Sequence, residues 1–349
     1  MGKNQDWNAE LREYLKQGEP NKKEKAKAWE TAIGLQDVDG LKTSNYLLDT
    51  AKEHIEGNID IIEAKDRINN YYKESKERKK EELTEEADKV SVRITEILSE
   101  NAFNFTPVEL LNIHKRLFTG IYDSAGKFRN YNITKDEWVL NNDTVIYSPF
   151  ESIKDTLDYD FNEERNFSYQ DLSIDESIKH LSLFISNIWQ VHPFCEGNTR
   201  TTAVFLIKYL RTFGFNINDD IFAKNSWYFR NALVRANYRN YEKNVFENTT
   251  YLEKFLYNLL TNSNYELKNK YLHIDYQESI PKTNQNNYTI EEQAIINIIK
   301  DNPLITQEEI SHKINKSLRT VKNYMLIMQE KGLIERKHGK RNGEWIIKN

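Results

Sequence analysis

The 349-residue sequence contains one cysteine, Cys195, so it cannot form an internal disulfide. This usage is typical of proteins in a reducing, cytoplasmic environment. No apolar run approaches the roughly 20 residues that a membrane-spanning helix needs, and the N-terminus lacks the basic-then-apolar order of a secretory signal. Met1-Gly2 could begin a myristoylation motif, but Asp6 stands where that motif requires Ser or Thr. We therefore expect a cytoplasmic protein without a membrane anchor.

Helical periodicity dominates the sequence and divides it into four segments. Residues 1–80 carry apolar positions at helical spacing and predict an N-terminal helical module. Residues 84–263 are the largest segment and also read mainly as helices. Residues 264–286 lose this periodicity and are rich in Asn, Gln, Lys and Ser, which predicts a linker. Residues 287–349 form a last unit, so the sequence predicts a mainly α protein.

Two regions of the sequence have strand character. Residues 130–147 are divided by Asn141-Asn142-Asp143, which is turn chemistry and predicts a short β-hairpin. In the last segment, Thr306 and Ser317 are expected helix N-caps, and two short strands follow around a polar turn. This order predicts a helix-turn-helix with a β wing.

The segment from His192 to Arg200 combines groups that phosphate chemistry needs, and it reads His-Pro-Phe-Cys-Glu-Gly-Asn-Thr-Arg. Gly197 permits a loop whose N–H groups, with the positive end of the following helix, can bind an anion. Glu196 is a hard oxygen ligand suited to Mg²⁺. Arg200 can reach the same anion, and His192 can act as a base for a hydroxyl. The combination predicts a phosphate-transfer site.

Each of these residues also has an ordinary structural interpretation. A lone histidine beside an aromatic stripe is usually structural, and a lone Gly-Asn pair is usually a turn. The prediction therefore depends on the cluster, and on Arg200, whose charge opposes the dipole at a helix start and so favours a bound anion. Cys195 is a candidate thiol nucleophile, but its placement so close to His192 in sequence disfavours the required geometry.

The segment resembles the Fic family motif His-x-Phe-x-Asp/Glu-Gly-Asn-Gly-Arg-x-x-Arg. The matching positions are His192, Phe194, Glu196, Gly197, Asn198 and Arg200. The resemblance extends over most of residues 84–263 and implies a helical bundle with a β-hairpin flap, at 130–147, that pairs with a target segment. It also implies transfer of AMP from ATP to a Ser, Thr or Tyr hydroxyl of a protein.

The resemblance assigns a role to each matching residue. His192 would accept the target's proton, and Glu196 would hold Mg²⁺. Phe194 would anchor the loop, Gly197, Asn198 and the adjacent Thr199 would line the α-phosphate, and Arg200 would bind the outer phosphates. Tyr228 and Asn237 fall about where the family contacts adenine or ribose, although helix packing and capping explain them equally well.

Two positions depart from the family motif. Thr199 replaces the second motif glycine, and Ala203 replaces the second motif arginine. In the family that arginine orders the γ-phosphate and can pair with an inhibitory glutamate. Its loss leaves open a donor other than ATP, or a reaction that removes AMP.

Residues 1–80 resemble the small antitoxin partners of Fic toxins, here fused into one chain. Glu56, in Ile55-Glu56-Gly57-Asn58, is the nearest match to an inhibitory glutamate, and Asp39-Gly40 is a second candidate. We expect this segment to cover and restrain the active site, the alternative being a stabilising helical appendage.

The last segment is basic although the protein has a net charge of −5. Residues 303–349 contain ten Lys or Arg and five Asp or Glu. Arg319 and Lys322 on the third helix, and Lys337 and Arg341 around the wing, are candidate DNA contacts. Winged helices also bind proteins or dimerise, so a homodimer stays open. The alternative to an enzyme is a DNA-binding transcription regulator whose Fic fold is a sensor.

Overall fold

The computed structural model describes residues 9, 11–16, 18–74, 82–215, 221–276, 288–337 and 343–348. The described chain is mainly helical, as predicted. Its helices are α1 (Pro20–Gly34), α2 (Asn45–Glu56), α3 (Ile61–Glu74), α4 (Glu82–Ser99), α5 (Pro107–Phe118), α6 (Ile153–Asn166), α7 (Ile174–Val191), α8 (Asn198–Thr212), α9 (Ile221–Asn237), α10 (Thr250–Thr261), α11 (Ile290–Asp301), α12 (Gln307–Lys313) and α13 (Leu318–Glu330). Short 3₁₀ turns lie at Leu35–Asp39, Trp138–Leu140, Phe150–Ser152 and Asn269–Leu272. Among the described residues, no helix combines the length and apolar character needed to cross a membrane.

Side-chain caps set the starts of several helices. The Thr306 hydroxyl accepts from the Glu309 N–H at the start of α12, and Ser317 does the same for Thr320 at the start of α13. Strands β1 (Ile334–Lys337) and β2 (Glu344–Ile347) then pair antiparallel. The predicted helix-turn-helix and its β wing are therefore confirmed.

One large hydrophobic core connects the three helical segments. Ala28, Ala32 and Leu35 from the N-terminal segment are buried in the same cluster as the central helices. Ile290 and Ala294 of α11 reach this cluster from the C-terminal side. A second cluster around Trp29 joins α1, α2, α3 and one face of α4. The 3₁₀ turn Leu35–Asp39 is therefore fixed against the central helices by its own Leu35 and by Ala32 of the preceding helix.

The first part of the predicted linker is not free of the core. Leu272 is fully buried, and the Ile274 N–H donates to the Val139 carbonyl at 2.9 Å. The apolar residues of this stretch are widely spaced among polar ones, so the sequence has no periodicity there that would predict its burial. The remainder of the predicted linker, 277–286, lies outside the described residues.

The predicted β-hairpin at 130–147 is wrong as a regular hairpin. We refer to residues 130–147 as the flap. Its two arms meet in a single antiparallel bridge between Glu137 and Asp143, and a 3₁₀ turn lies between them. Val139 and Val145 are both buried, with their neighbours Leu140 and Tyr147. The turn and the second arm therefore pack on the core, and no ladder of paired strands forms.

Candidate active site

His192 terminates α7 and enters the site in an unusual backbone conformation. Its φ is +47°, a left-handed value that closes the helix after Val191. Its carbonyl accepts from Arg129 Nε at 2.8 Å, which holds the helix end in place. Only 3% of the residue is exposed, and its ring lies 4.3 Å from the Tyr147 ring of the flap.

The contacts of the His192 ring define its tautomer. Nδ1 lies 3.3 Å from the Trp189 carbonyl, which can only accept, so Nδ1 carries the proton. Nε2 is buried and has no hydrogen-bond partner among the described residues. Burial lowers the pKa of His192 well below 6.5, and the positive charge of Lys135 acts in the same direction. At neutral pH the site therefore holds a neutral imidazole with a free lone pair on Nε2.

The motif loop is closed by reciprocal hydrogen bonds between Asn198 and Phe194. The Phe194 N–H donates to Asn198 Oδ1 at 2.9 Å, and Asn198 Nδ2 donates to the Phe194 carbonyl at 2.8 Å. Gly197 has a φ of +75°, and a Cβ there would lie 2.4 Å from the Phe118 ring. The side-chain amide of Asn198 therefore shapes the loop, and the predicted place of Asn198 at the α-phosphate stays a prediction that concerns its backbone N–H. The N–H groups at the start of α8 remain as anion donors.

His114 of α5 holds the same loop through contacts with Phe194 and Glu196. It was not identified as a site residue from the sequence. Its ring stacks on Phe194 with centroids 3.7 Å apart. The Gly126 N–H donates to His114 Nδ1 at 2.9 Å, so Nε2 donates to the Glu196 carbonyl at 3.0 Å. Burial lowers the pKa of His114 to about 4. A histidine on the apolar face of α5 was the signal available in the sequence.

The two departures from the motif are accommodated by packing. Thr199 is buried, and its Oγ1 accepts from Trp189 Nε1 at 3.0 Å. The hydroxyl therefore braces α7 against α8, and this contact gives no support to its predicted place at the phosphates. Ala203 is fully buried within α8. The position of the second motif arginine thus supplies no charge.

Arg200 is buried and held by residues from outside the motif. We refer to Gln36, Asp39 and Glu86 as the acidic cap. Arg200 Nη1 donates to Gln36 Oε1 at 3.1 Å, and Nη2 donates to Glu86 Oε1 at 2.6 Å. Nε lies 2.8 Å from Asp39 Oδ2 but is not aligned for a hydrogen bond, so this contact is an ion pair. The guanidinium also lies 4.9 Å from the Phe118 ring centroid.

The acidic cap determines the ionisation and the availability of Arg200. Burial disfavours its charge, but Asp39, the Tyr122 hydroxyl and Glu86 outweigh that cost and raise the pKa of Arg200. Only 1% of the residue is exposed. A nucleotide that uses Arg200 must therefore displace part of the cap.

Glu56, the leading inhibitory candidate, is placed elsewhere. Its carboxylate accepts from Lys22 Nζ at 2.8 Å and from the Tyr14 hydroxyl, at the end of α2. These hydrogen bonds, the Lys22 bond first, lower the pKa of Glu56. The prediction that Glu56 meets the motif is wrong, because its helix packs within the N-terminal cluster. The second candidate, Asp39, is the residue that reaches Arg200.

Glu196 carries the only carboxylate of the motif, and this carboxylate is exposed to solvent. Its side chain is 57% exposed, and Oε2 lies 3.1 Å from Lys135 Nζ on the flap. No group of three or more His, Cys, Asp or Glu that could hold a metal occurs among the described residues. A metal at Glu196 would thus need further oxygen ligands from a nucleotide and water, which is the usual arrangement for Mg²⁺.

Tyr228 and Asn237 do not line the site. The Tyr228 hydroxyl donates to the Tyr251 carbonyl at 3.3 Å, and the residue is 1% exposed. Asn237 Nδ2 donates to the Ser186 carbonyl at 3.0 Å. Both residues therefore serve helix packing and capping, as their alternative interpretation held. The preceding residue on α9, Trp227, is the aromatic that reaches a cavity.

That cavity has a volume of about 470 Å³ and lies beside the acidic cap. It is lined by Asp37, Val38, Asp39, Gly40, Trp227 and Arg230. The Arg230 guanidinium lies 5.1 Å from the Trp227 ring centroid and binds Glu137 of the flap at 2.6 Å. The cavity wall is therefore connected directly to the flap and to Arg200.

The winged-helix unit exposes its basic helix. Arg319 and Lys322 are exposed on α13, and Lys337 is exposed at the end of β1. Arg341 lies outside the described residues. Leu326 is 54% exposed on the same helix, so this face also offers an apolar contact.

Comparison with known proteins agrees with this geometry. Residues 104–210 match the Fic/DOC family model, and residues 292–335 match a winged helix-turn-helix DNA-binding model. The chain therefore combines a Fic/DOC-type domain with a C-terminal winged helix, and the resemblance read from the motif is confirmed. It is similar to "Protein adenylyltransferase VbhT" of Bartonella schoenbuchensis, with 31% identity over 108 residues. This region is 31% of the chain, and the chain spans about 21% of that relative's length.

Proposed function

We propose that the chain is a protein adenylyltransferase. It transfers AMP from ATP to a Ser, Thr or Tyr hydroxyl of a target protein, itself included. The observation that carries the proposal is the buried, unpartnered Nε2 of a neutral His192 beside a loop that opens into the start of α8. The adenylyltransferase name of the similar protein supports the choice of AMP.

The proposed step is an in-line displacement at the α-phosphorus. The target oxygen forms a bond to the α-phosphorus, the bond from that phosphorus to the pyrophosphate breaks, and pyrophosphate leaves. His192 Nε2 takes the hydroxyl proton, and the Nδ1 contact with Trp189 keeps the ring oriented for this transfer. The N–H groups that follow Gly197, at the start of α8, would bind the phosphate and stabilise its charge.

Glu196 fits the role of a Mg²⁺ ligand. Its carboxylate is exposed, and its ion-pair partner among the described residues, Lys135, is a flexible side chain that can move away. Mg²⁺ would neutralise charge on the phosphates. This chain would supply one carboxylate ligand, that of Glu196, and the hydrogen bond from His114 to the Glu196 carbonyl holds the residue in place.

The acidic cap is proposed to restrain the enzyme. Gln36 and Asp39 occupy the guanidinium of Arg200, which the motif needs for the outer phosphates. The restraint therefore acts on nucleotide binding, and the N-terminal segment that supplies it is part of the same chain.

The test is transfer of label from α-labelled ATP in the presence of Mg²⁺. We expect protein-bound label from the full chain, loss of that label in His192→Ala, and no change in His312→Ala, an exposed histidine of the winged helix. The intact mass of the product distinguishes AMP from another transferred group. Label that persists in His192→Ala, or an adduct of another mass, would contradict the proposal.

DNA binding is a second proposed function, carried by the exposed basic face of α13. Each lost phosphate contact reduces the slope of log K against log salt by about 0.9. The double variant Arg319→Ala, Lys322→Ala should therefore reduce that slope by ~2 and weaken duplex binding. Lys300→Ala on α11 is the control. An unchanged slope would refute a DNA-binding role for α13, and sedimentation of the same samples tests for a homodimer.

A further inference from the structure

Lys135 is a flap residue whose charged group points into the motif. Its Nζ lies 3.1 Å from Glu196 Oε2, and 29% of its side chain is exposed. Its backbone N–H donates to Thr144 Oγ1 at 3.1 Å, so the opposite arm of the flap holds it in register. The Lys135 charge also acts on His192. The ammonium group is therefore paired with Glu196 of the motif loop, and its positive charge also influences His192.

The other described cations around the motif are committed to protein partners. Arg129 donates to the carbonyls of His192 and Tyr131 at 2.8 Å. Arg230 binds both oxygens of the buried Glu137. Arg200 is held by the acidic cap, and Ala203 offers no charge. The phosphate chain of a nucleoside triphosphate nevertheless requires positive partners beyond one metal ion.

The partner of Lys135 is the residue that a metal would engage. A divalent ion at Glu196 would repel the ammonium and compete for the same carboxylate. Lys135 would then lose its ion pair at the moment when phosphates arrive beside it. A flexible four-carbon side chain allows such a change of partner.

From this geometry we propose that Lys135 binds the outer phosphates of a nucleoside triphosphate. It supplies from the flap the charge that Ala203 fails to supply from α8. The inference rests on the proposed function, since it assumes a triphosphate donor bound at this motif. It assigns the flap a part in donor binding that is separate from any contact with the target.

The test is calorimetric titration of ATP, ADP and AMP into the 349-residue chain in the presence of Mg²⁺, the ion that is proposed to displace Lys135 from Glu196. Wild type and an Asp39→Asn background are compared, each with Lys135→Met, Lys135→Arg and Lys127→Met. Loss of one charge-assisted contact should weaken ATP and ADP binding by about 10- to 100-fold in Lys135→Met. AMP affinity should be retained, because AMP has no outer phosphates. Lys135→Arg should stay near wild type, and Lys127→Met, an exposed lysine before the flap, should bind like wild type.

Two results would overturn the inference. The first is equal ATP affinity in Lys135→Met and wild type, in a chain that still transfers label. This result refutes phosphate binding by Lys135 and leaves the adenylyltransferase proposal standing. The second is an equal loss for AMP, which would mean that Lys135 only shapes the loop. Absence of both nucleotide binding and label transfer in every variant refutes the adenylyltransferase proposal, and the Lys135 inference falls with it.

Discussion

Asp39→Asn is the substitution that most directly tests restraint by the acidic cap. The Asp39 carboxylate lies 2.8 Å from Arg200 Nε, an attraction of roughly 6 kcal/mol at an effective dielectric constant near 20. Asp39 is 38% exposed and the contact is not an aligned hydrogen bond, so solvent screening leaves about 1–2 kcal/mol. In Asp39→Asn the nucleotide no longer has to break this ion pair to reach Arg200, so ATP binding gains the same free energy. That gain corresponds to a ~5- to 30-fold increase in initial rate at subsaturating ATP.

The assay is self-labelling with α-labelled ATP, compared with Asp37→Asn as a matched control. Asp37 lies on the same 3₁₀ turn and has no hydrogen bond or ion pair to Arg200 among the described contacts. Gln36→Ala combined with Asp39→Asn should raise the rate further, because a second contact of Arg200 is lost. If Asp39→Asn labels at the wild-type rate, while the label still depends on His192, the cap does not restrain the enzyme.

Three further outcomes follow from the motif loop. Since burial lowers the pKa of His192, the base stays deprotonated as pH falls, so kcat/KM should remain flat from pH 8 to about 6.5 and fall only below it; a loss centred near 6.5 would contradict this. Gly197→Ala should destabilise the fold by more than ~1 kcal/mol in thermal unfolding, because of its positive φ and the clash with Phe118; an unchanged Tm would refute it. His114→Phe keeps the ring on Phe194 but removes two hydrogen bonds, so kcat should drop by about tenfold with a stability loss of about 1–3 kcal/mol; unaltered kcat would show that the loop does not need this support.

Local features of the site could be predicted from the sequence because they depend on neighbouring residues. His192 at a helix end, the glycine conformation at 197 and the caps at Thr306 and Ser317 all follow from short-range patterns. The wing strands were also predictable, since alternation around a polar turn is a local signal.

Contacts between distant segments could not be predicted in the same way. The acidic cap brings Gln36 to Arg200 across 164 residues, and no periodicity encodes that pairing. Glu56 matched a motif by its letters, yet its helix packs elsewhere. For Asn198, the motif identified the residue but not which of its atoms remain available. The flap buries Val139 of its 3₁₀ turn and Val145 of its second arm in the core, so tertiary packing replaced the ladder that the pattern predicted.

The shared core under the 3₁₀ turn Leu35–Asp39 has a consequence for how the proposed restraint would be lifted. Leu35, at the start of this turn, is buried in the main cluster, so the cap belongs to the body of the protein. A separate inhibitory subunit is lost on dilution or degradation, whereas an intramolecular cap has an effective concentration that neither changes. The degree of restraint, measured as activity per molecule of protein, should then be independent of protein concentration. A signal that activates the chain must move the 3₁₀ turn relative to a fixed core.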